Sequence, residues 1–380
     1  MSIPVDHAPR AGGVERFVVQ HFRNYDVLAL DIHARHIVLT GPNGAGKTNI
    51  LEAISLMAPG RGLRQAKLAE WVRREQAAVM QETAWGISLT LEDGPRLITR
   101  APEQKGGPLS SRRVVLHENV SLPSQAALAE YLAVVWLTPQ MDGLFLGDAG
   151  NRRKFVDRLV YAVSPEHAVR LHRYEHAVRQ RNRLLKERAS PALIRALHPV
   201  LVAEGVAIAA ARLENTDQLN HALRDMRHDF PTPFIQWSGQ VEQWLQQHDA
   251  LTVETLYHDQ LDAMIDEDRI IGQTRLGVHR SDALTRHVQK DMDAAQCSTG
   301  EQKALLLSLV LAHAQWLKTL APQRPLILLL DDVAAHLDPS RRAQVLEWIA
   351  SMPVQAWFTG TERAMFPDAG YDAQYIDLPF

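Results

Sequence analysis

With a single cysteine, Cys297, the chain has no partner for an internal disulfide, which fits a reducing compartment. Long apolar runs are also missing. None approaches the roughly 18 residues of a membrane span, and the N-terminal residues carry no signal-peptide core, so the expected location is the cytoplasm and no membrane partner is expected. Neither charge is in large excess, because Lys and Arg number 41 against 44 Asp and Glu, for a formal net charge of −3. That balance excludes a uniformly basic nucleic-acid coat and leaves DNA contact to local patches. Internal repeats and low-complexity tracts are absent as well, and Met1 to Gly13 read as an irregular tail. What remains is an ordinary globular composition, 46% hydrophobic and 22% charged. At 380 residues it exceeds what one simple core holds and predicts two lobes.

Two separated stretches carry the chemistry. Gly41-Pro42-Asn43-Gly44-Ala45-Gly46-Lys47-Thr48 follows the apolar run Ile37 to Leu39 and precedes helically spaced Ile50, Leu51, Ile54 and Met57. That is the strand, loop and helix context of a phosphate-binding loop. Its glycines let backbone N–H groups turn onto phosphate oxygens at a helix N-terminus, with Asn49 in the first turn. Lys47 is expected to reach the outer phosphates of ATP, and the Thr48 hydroxyl to ligate Mg²⁺. Far downstream, Leu326 to Leu330 are all apolar and end in Asp331-Asp332. Such a run predicts a fully buried parallel strand, with two carboxylates at the edge where open α/β sheets place their ligands. Asp331 is assigned to the metal and Asp332 to the attacking water.

The intervening texture changes. Short strands are expected at Phe17 to Gln20, Leu28 to Ile32 and His36 to Leu39. A hairpin is expected across Glu92-Asp93-Gly94-Pro95. After Pro165, Leu171, Tyr174, Val178 and Leu185 form one helical stripe, and a second helix is read from about Val200 to Met226, with Pro191 and Pro199 breaking the connection. This span has room for two ordinary helices and no long coiled coil. The expected architecture is thus an α/β ATPase head with an inserted helical lobe. Residues 1–136 and 297–380 form the ATPase lobe, and 137–296 form the helical lobe and its short arm.

Ser298-Thr299-Gly300-Glu301 opens the apolar helix Ala304 to Leu311. As residues alone, these read first as an N-cap at Ser298, and only in company with the other motifs as a γ-phosphate-binding turn at a positive dipole end. The order of phosphate loop, inserted helices, Ser-x-Gly helix, Asp-Asp strand and Ala335-His336-Leu337-Asp338 resembles the ATP-binding-cassette class, including its chromosome-maintenance members. That resemblance implies ATP sandwiched between two copies, with Ser298, Gly300, Glu301 and Asp338 contacting the nucleotide or seam of the opposite copy. It also implies that Gln140, in Thr138-Pro139-Gln140, relates the metal and lytic water to the helical lobe.

Further segments narrow the class. His21-Phe22-Arg23-Asn24-Tyr25, Gly60-Arg61-Gly62-Leu63-Arg64, Arg152-Arg153-Lys154-Phe155, Gln180-Arg181-Asn182-Arg183 and Gly277-Val278-His279-Arg280-Ser281-Asp282 resemble the RecF family of bacterial recombinational-repair ATPases. The resemblance runs from about Phe17 to Thr361. It implies ATP-dependent homodimerisation, binding to gapped and junction DNA, slow ATP hydrolysis, and work with RecO and RecR to load RecA. Val278 stands where a Pro is usual, and Gln140 where a Glu is frequent. Thr359 and Thr361 offer hydroxyls where transporters carry a His switch. Arg61, Arg64, Lys67, Arg73 and Arg74 form one basic cluster, Lys105, Arg112 and Arg113 a second, and Arg170, Arg173, Arg179, Arg181, Arg183, Lys186 and Arg188 stud the arm. Each set is read as a solvated face or a sequence-independent phosphate contact. A transporter-type ATPase is disfavoured by the missing second signature glycine and His switch, and a long-armed condensation ATPase by the short arm. A clamp that uses ATP only structurally remains the rival.

Overall fold

The most apolar short runs of the chain become parallel strands buried on both faces, and these carry the phosphate loop. In the computed structural model, the described residues are 12–72, 85–102, 113–226, 230–333, 337–366 and 373–379. The chain divides into two compact units, Met1–Met141 with Ala314–Phe380, and Asp142–His313.

In chain order, the first unit begins with β1 (Val14–Phe22), β2 (Tyr25–Asp31), β3 (His36–Thr40), helix α1 (Lys47–Ser55) and the single turn α2 (Leu68–Trp71). It continues with β4 (Gly86–Leu91), β5 (Arg96–Arg100), β6 (Val114–His117), β7 (Val120–Ser121) and β8 (Ala133–Leu137). The second unit holds α3 (Ala149–Val163), α4 (Glu166–Lys186), α5 (Pro191–Arg195), α6 (His198–Asp225), β9 (Pro233–Ser238), α7 (Gln240–Leu245), α8 (Ala250–Ala263), α9 (Ile265–Ile271), β10 (Asp282–His287) and β11 (Met292–Asp293). Helix α10 (Thr299–Leu320) starts there. The chain then closes the first unit with β12 (Leu326–Leu330), α11 (Pro339–Ser351), β13 (Gln355–Gly360) and β14 (Ala373–Asp377).

Two sheets build the first unit. One is antiparallel in the order β2-β1-β4-β5-β6-β7, and the other runs β14-β3-β13-β12-β8 with every pairing parallel. Strands β3, β8, β12 and β13 are buried at every residue, as continuous apolar runs require when both faces are covered. The expected β4–β5 hairpin alternates buried and half-exposed residues because only one face meets the core. That core joins Phe17, Val19 and Phe22 of β1 to Ile50, Leu51 and Ile54 of α1 and to Trp136, Ile327 and Trp357 of the parallel sheet. Gln355 ties the chain's early and late segments together. Its amide accepts from Val14 N at 3.0 Å and donates to Val14 O at 2.9 Å.

The second unit departs from the expected short arm of two helices. Among the described residues it holds seven helices before α10 and a sheet of order β11-β10-β9, with one core of Leu171, Tyr174, Leu201, Val206, Ile208, Val253, Tyr257 and Val278 and a smaller one of Leu185, Ile194 and Ile265. The two helical stripes lie where their spacing places them, in α4 and α6, and their apolar residues meet further helices. Pro191 and Pro199 do interrupt the connection between the two striped helices, and each sits in a first turn, where the missing N–H costs nothing. The stretch 191–225 is long and apolar enough to cross a membrane by composition, but here its apolar side is the core of this unit. The expected boundary at residue 297 falls instead at 313/314, inside α10. Residues before it are bonded within the second unit: His313 Nε2 lies 3.0 Å from Leu159 O, and Lys303 pairs with Asp142 at 2.9 Å.

Buried charge organises this unit. Arg212 forks onto Asp157 with two 2.8 Å bonds, donates to Val278 O at 2.8 Å, and stacks 4.5 Å over Trp237. Glu242 takes the Ser281 hydroxyl at 2.7 Å, and His167 lies 3.0 Å from Asp157. Nearby, Tyr174 Oη meets Tyr257 Oη at 3.0 Å and His279 Nδ1 at 2.9 Å. Gly277 is required beside them: its φ is +130°, and a Cβ there would lie 2.1 Å from the Tyr174 oxygen. The segment Gly277 to Asp282 therefore contributes Gly277, Val278 and Ser281 to a buried framework, with His279 half-buried and Arg280 exposed. Arg181 also belongs to this framework; it is fully buried and bonded to Asp268 at 2.6 Å and Thr274 at 3.0 Å, with Asn182 accepting from Thr274.

Burial alone would push the Asp157 carboxyl up, but the Arg212 and His167 contacts outweigh it and hold it at about 2, below its ordinary 3.8. The native state therefore binds this proton less readily than the unfolded chain. The resulting stability, on the order of 2 kcal/mol, is fully present above about pH 4 and disappears as pH falls through about 2. Acid unfolding followed by tryptophan fluorescence is expected to shift to higher pH in Asp157→Asn, and an unmoved transition would contradict the assignment.

Candidate nucleotide site

A cleft of about 420 Å³ opens over the C-terminal edge of the parallel sheet, lined by Asn43, Gly44, Gly46, Lys47, Thr48, Asn49, Arg64, Pro139, Asp331, Asp332, Thr359 and Thr361. All belong to the first unit. The loop between β3 and α1 uses glycine where nothing else fits. Gly41, Gly44 and Gly46 have φ of 144°, 90° and 98°. A Cβ on Gly41 would stand 2.6 Å from Leu378 O, and one on Gly46 would stand 2.5 Å from the Tyr25 hydroxyl, whereas at Gly44 the space is open. Gly46 caps α1, whose first N–H groups have no side-chain cap and so face the loop's concavity. Lys47 Nζ donates to the carbonyls of Gly41 at 2.6 Å and Pro42 at 2.9 Å. Burial pulls the Lys47 ammonium below its ordinary value, against the opposing pull of Asp332 and Asp331.

Opposite the loop, one carboxylate gathers two hydroxyls. Thr48 Oγ1 and Thr359 Oγ1 each donate to Asp331 Oδ1 at 2.9 Å, while Asp332 N donates to Thr359 Oγ1 at 2.7 Å. Burial is the main reason that the Asp331 carboxyl rises above its ordinary range; the two threonines and Arg64 partly offset it. A hydroxyl and a carboxylate, oxygens only, suit a hard cation such as Mg²⁺, which is bound through one or two carboxylates plus phosphate oxygens. Asp332 occupies a left-handed φ of 53°, a strained conformation worth roughly 1–3 kcal/mol of the kind that collects at functional sites.

Several sequence assignments are brought together in this cleft: Asn43, Gly44, Gly46, Lys47, Thr48, Asn49, Asp331 and Asp332 line it, with Gly41, Pro42 and Ala45 in the loop itself. Gln140 is not among its lining residues. Pro139 lines the cleft, and Gln140, the next residue of the same 3-10 turn, is exposed. Between the two threonines, Thr359 is buried and committed to Asp331, and Thr361 is the exposed hydroxyl of the cleft.

Arg64 has a place that its sequence neighbourhood did not reveal. Grouped with a basic surface cluster, it instead lines the cleft, donating to Asn49 Oδ1 at 2.6 Å and Glu52 Oε2 at 2.9 Å. Glu52 is fully buried and also receives Arg23 through bonds of 2.9 and 2.6 Å. Arg23 and Asn24 form the β1–β2 turn, where Asn49 donates to Asn24 at 2.7 Å, and Tyr25 opens β2. The sequence signal for this place is Phe22-Arg23-Asn24-Tyr25, a mark of the family resemblance to which the sequence alone attaches no role. Arg113 also leaves its basic cluster: it is buried and donates to the carbonyls of Leu56 and Ala58 beyond the end of α1, at 2.7 Å for Ala58. Arg73, Arg74, Lys105 and Arg112 lie outside the described residues, as do Ala335 and His336.

In the second unit, Ser298 is an N-cap. Its hydroxyl accepts from Glu301 N at 3.4 Å and donates to Glu301 Oε2 at 2.8 Å, and the same carboxylate takes Ser298 N at 3.0 Å. This reciprocal box leaves Ser298, Thr299 and Gly300 exposed. Lys290 and Ser298 hold Glu301 at about 2. Asp338 likewise caps α11, accepting from Arg341 N at 3.0 Å, and is exposed.

A parallel sheet with a glycine loop between β3 and α1, and with paired aspartates at the end of β12, defines a P-loop ATPase of the cassette and chromosome-maintenance type. The model of the RecF/RecN/SMC N terminal domain matches residues 13–375. The chain belongs to the RecF family. It is 40% identical over 368 residues to the DNA replication and repair protein RecF of Rhizobium rhizogenes, covering 96% of both chains. It is 41% identical over 376 residues to the protein of the same name from Mesorhizobium japonicum, covering 97% of each. The fold is shared with a solved structure of the recombination mediator protein RecF with ATP, at a TM-score of 0.81 and 22% identity over 98% of this chain and 97% of that one.

Proposed function

We propose that this protein is an ATP-dependent DNA-binding ATPase that pairs with a second copy of itself around ATP, binds gapped and junction DNA, and acts with RecO and RecR in loading RecA. The observation that carries the pairing is the exposed signature turn: Ser298, Thr299 and Gly300 are capped, ordered by Glu301, and open to solvent at the positive end of a 22-residue helix. Such a turn is a preformed anion contact. A ligand held by the cleft of one copy and this turn of another favours the dimer by mass action. Asp338, at a second exposed helix start, is assigned to the same seam.

Within one copy, the loop amides and Lys47 hold the phosphates, and Thr48 with Asp331 holds the Mg²⁺, which neutralises phosphate charge when bound. Asp332 orients the attacking water, with its backbone fixed by Thr359. As a carboxylate one methylene shorter than glutamate, it favours slow turnover, stimulated by DNA. Gln140 is retained as the residue adjoining the cleft that relates it to the second unit. The relatives' name, DNA replication and repair protein RecF, supports a role in replication and repair; replication restart and a cytoplasmic location are part of the same proposal.

The test is sizing by light scattering with magnesium-ATP and a gapped duplex. Ser298→Arg is expected to bind ATP within about threefold of the parent yet remain monomeric, since a cation and a longer side chain replace the capped turn. Normal pairing by this variant would overturn the sandwich. A basal hydrolysis rate that is high and indifferent to DNA would overturn the slow, DNA-coupled cycle.

A further inference from the structure

Away from the nucleotide cleft, α6 begins with His198, and α8 presents His258 and Asp262 one turn apart on the same face. One potential ligand atom from each of the three lies within 4.8 Å of the other two. His198 is fully buried, and neither of its ring nitrogens makes a hydrogen bond; Asp262 Oδ1 makes none either, although it lies 2.9 Å from His198 Nδ1. A buried imidazole with both nitrogens unsatisfied is costly, because desolvation removes its water partners without replacement. The contact at 2.9 Å lacks hydrogen-bond alignment, so proximity alone does not satisfy it.

We propose that His198, His258 and Asp262 form a binding site for a zinc-class divalent cation. Two imidazoles and a carboxylate are a borderline donor set that selects Zn²⁺ and its neighbours over Mg²⁺ or Ca²⁺. Ligand atoms on a tetrahedral zinc stand about 3.3 Å apart, given metal–ligand distances of about 2.0 Å. A bound cation would have to draw the present spread in, and the exposed His258 ring is the ligand with room to turn. Arg195 Nε donates to Asp262 Oδ2 at 2.9 Å, which orients the carboxylate from outside and leaves Oδ1 toward the histidines. Arg181, the other nearby guanidinium, is neutralised by Asp268. Exposure of His258 and partial exposure of Asp262 provide an entry path and a fourth position for water. The cation would staple the start of α6 to the last two turns of α8, so its role is structural.

The experiment uses the full chain without an affinity tag, free of nucleotide and magnesium, titrated with Co²⁺ in the presence of a weak chelator that suppresses binding to single surface histidines. Expected are visible d–d absorption that saturates at one Co²⁺ per chain, its displacement by Zn²⁺, and a rise in Tm with Zn²⁺. His258→Ala and Asp262→Asn, both at accessible positions, are expected to fold as the parent does without metal and to lose the absorption and the Tm response. His198→Ala is avoided because it opens a cavity in the core. No bound Co²⁺ in the parent, or binding retained by either variant, would overturn the site.

Discussion

Lys47→Met is expected to lose magnesium-ATP binding and to cut ATP turnover by at least about a hundredfold, the scale of removing one preorganised charge donor from a phosphoryl-transfer site. The ammonium is the cleft's cation closest to the loop. It is held over the cradle by the carbonyls of Gly41 and Pro42, with the Asp331 and Asp332 charges favouring its protonated form. Methionine keeps the stem and removes the charge. The fold should change little, by less than about 1 kcal/mol, because the two carbonyls are half-exposed and water can replace the lost bonds. Calorimetric titration with magnesium-ATP beside urea unfolding separates the effects. A variant that hydrolyses ATP within a few-fold of the parent would remove Lys47 from the mechanism.

The largest stability loss is expected at Arg212, far from the nucleotide. Arg212→Ala should destabilise the second unit by about 3–5 kcal/mol, because it strands a buried charge whose partner is gone. Asp157 loses both 2.8 Å bonds, the Val278 carbonyl loses its donor, and Glu242 loses a cation. Lysine should not rescue, since a point charge cannot reproduce the planar fork on Asp157. Removing Asp157 as well should cost less than the sum of the two single changes, which denaturant unfolding of the double-mutant cycle measures. Nucleotide binding by the first unit should persist at low denaturant. A loss under about 1 kcal/mol would mean that the network is not what holds this unit.

The phosphate loop and the Asp-Asp strand were legible because their function is local: conformation, hydrogen bonding and side-chain direction follow from a few adjacent residues. Lys47, Thr48, Asp331 and Asp332 accordingly meet in the cleft where they were expected. Arginines were legible only as charge. Arg181 looked like part of a solvated arm face, but its partner Asp268 lies 87 residues on, and no local pattern records such a pairing. Arg64 and Arg113 were misplaced for the same reason. The second unit's sheet was also hidden, since β9 pairs with a strand some fifty residues later and each strand alone is too short to distinguish from a loop. Ser298 shows a different limit. Its cap geometry was readable, while its exposure, which bears on pairing, is a property of the folded surface.

Strand β3, which delivers the phosphate loop, lies between β13 and β14. Its neighbours are therefore made some three hundred residues after it, and during synthesis the loop has no sheet to hang from until residues 355–377 appear. Polypeptides that lack residues 355–377 should accordingly be unable to engage nucleotide, which makes ATP occupancy a report on the arrival of those two strands.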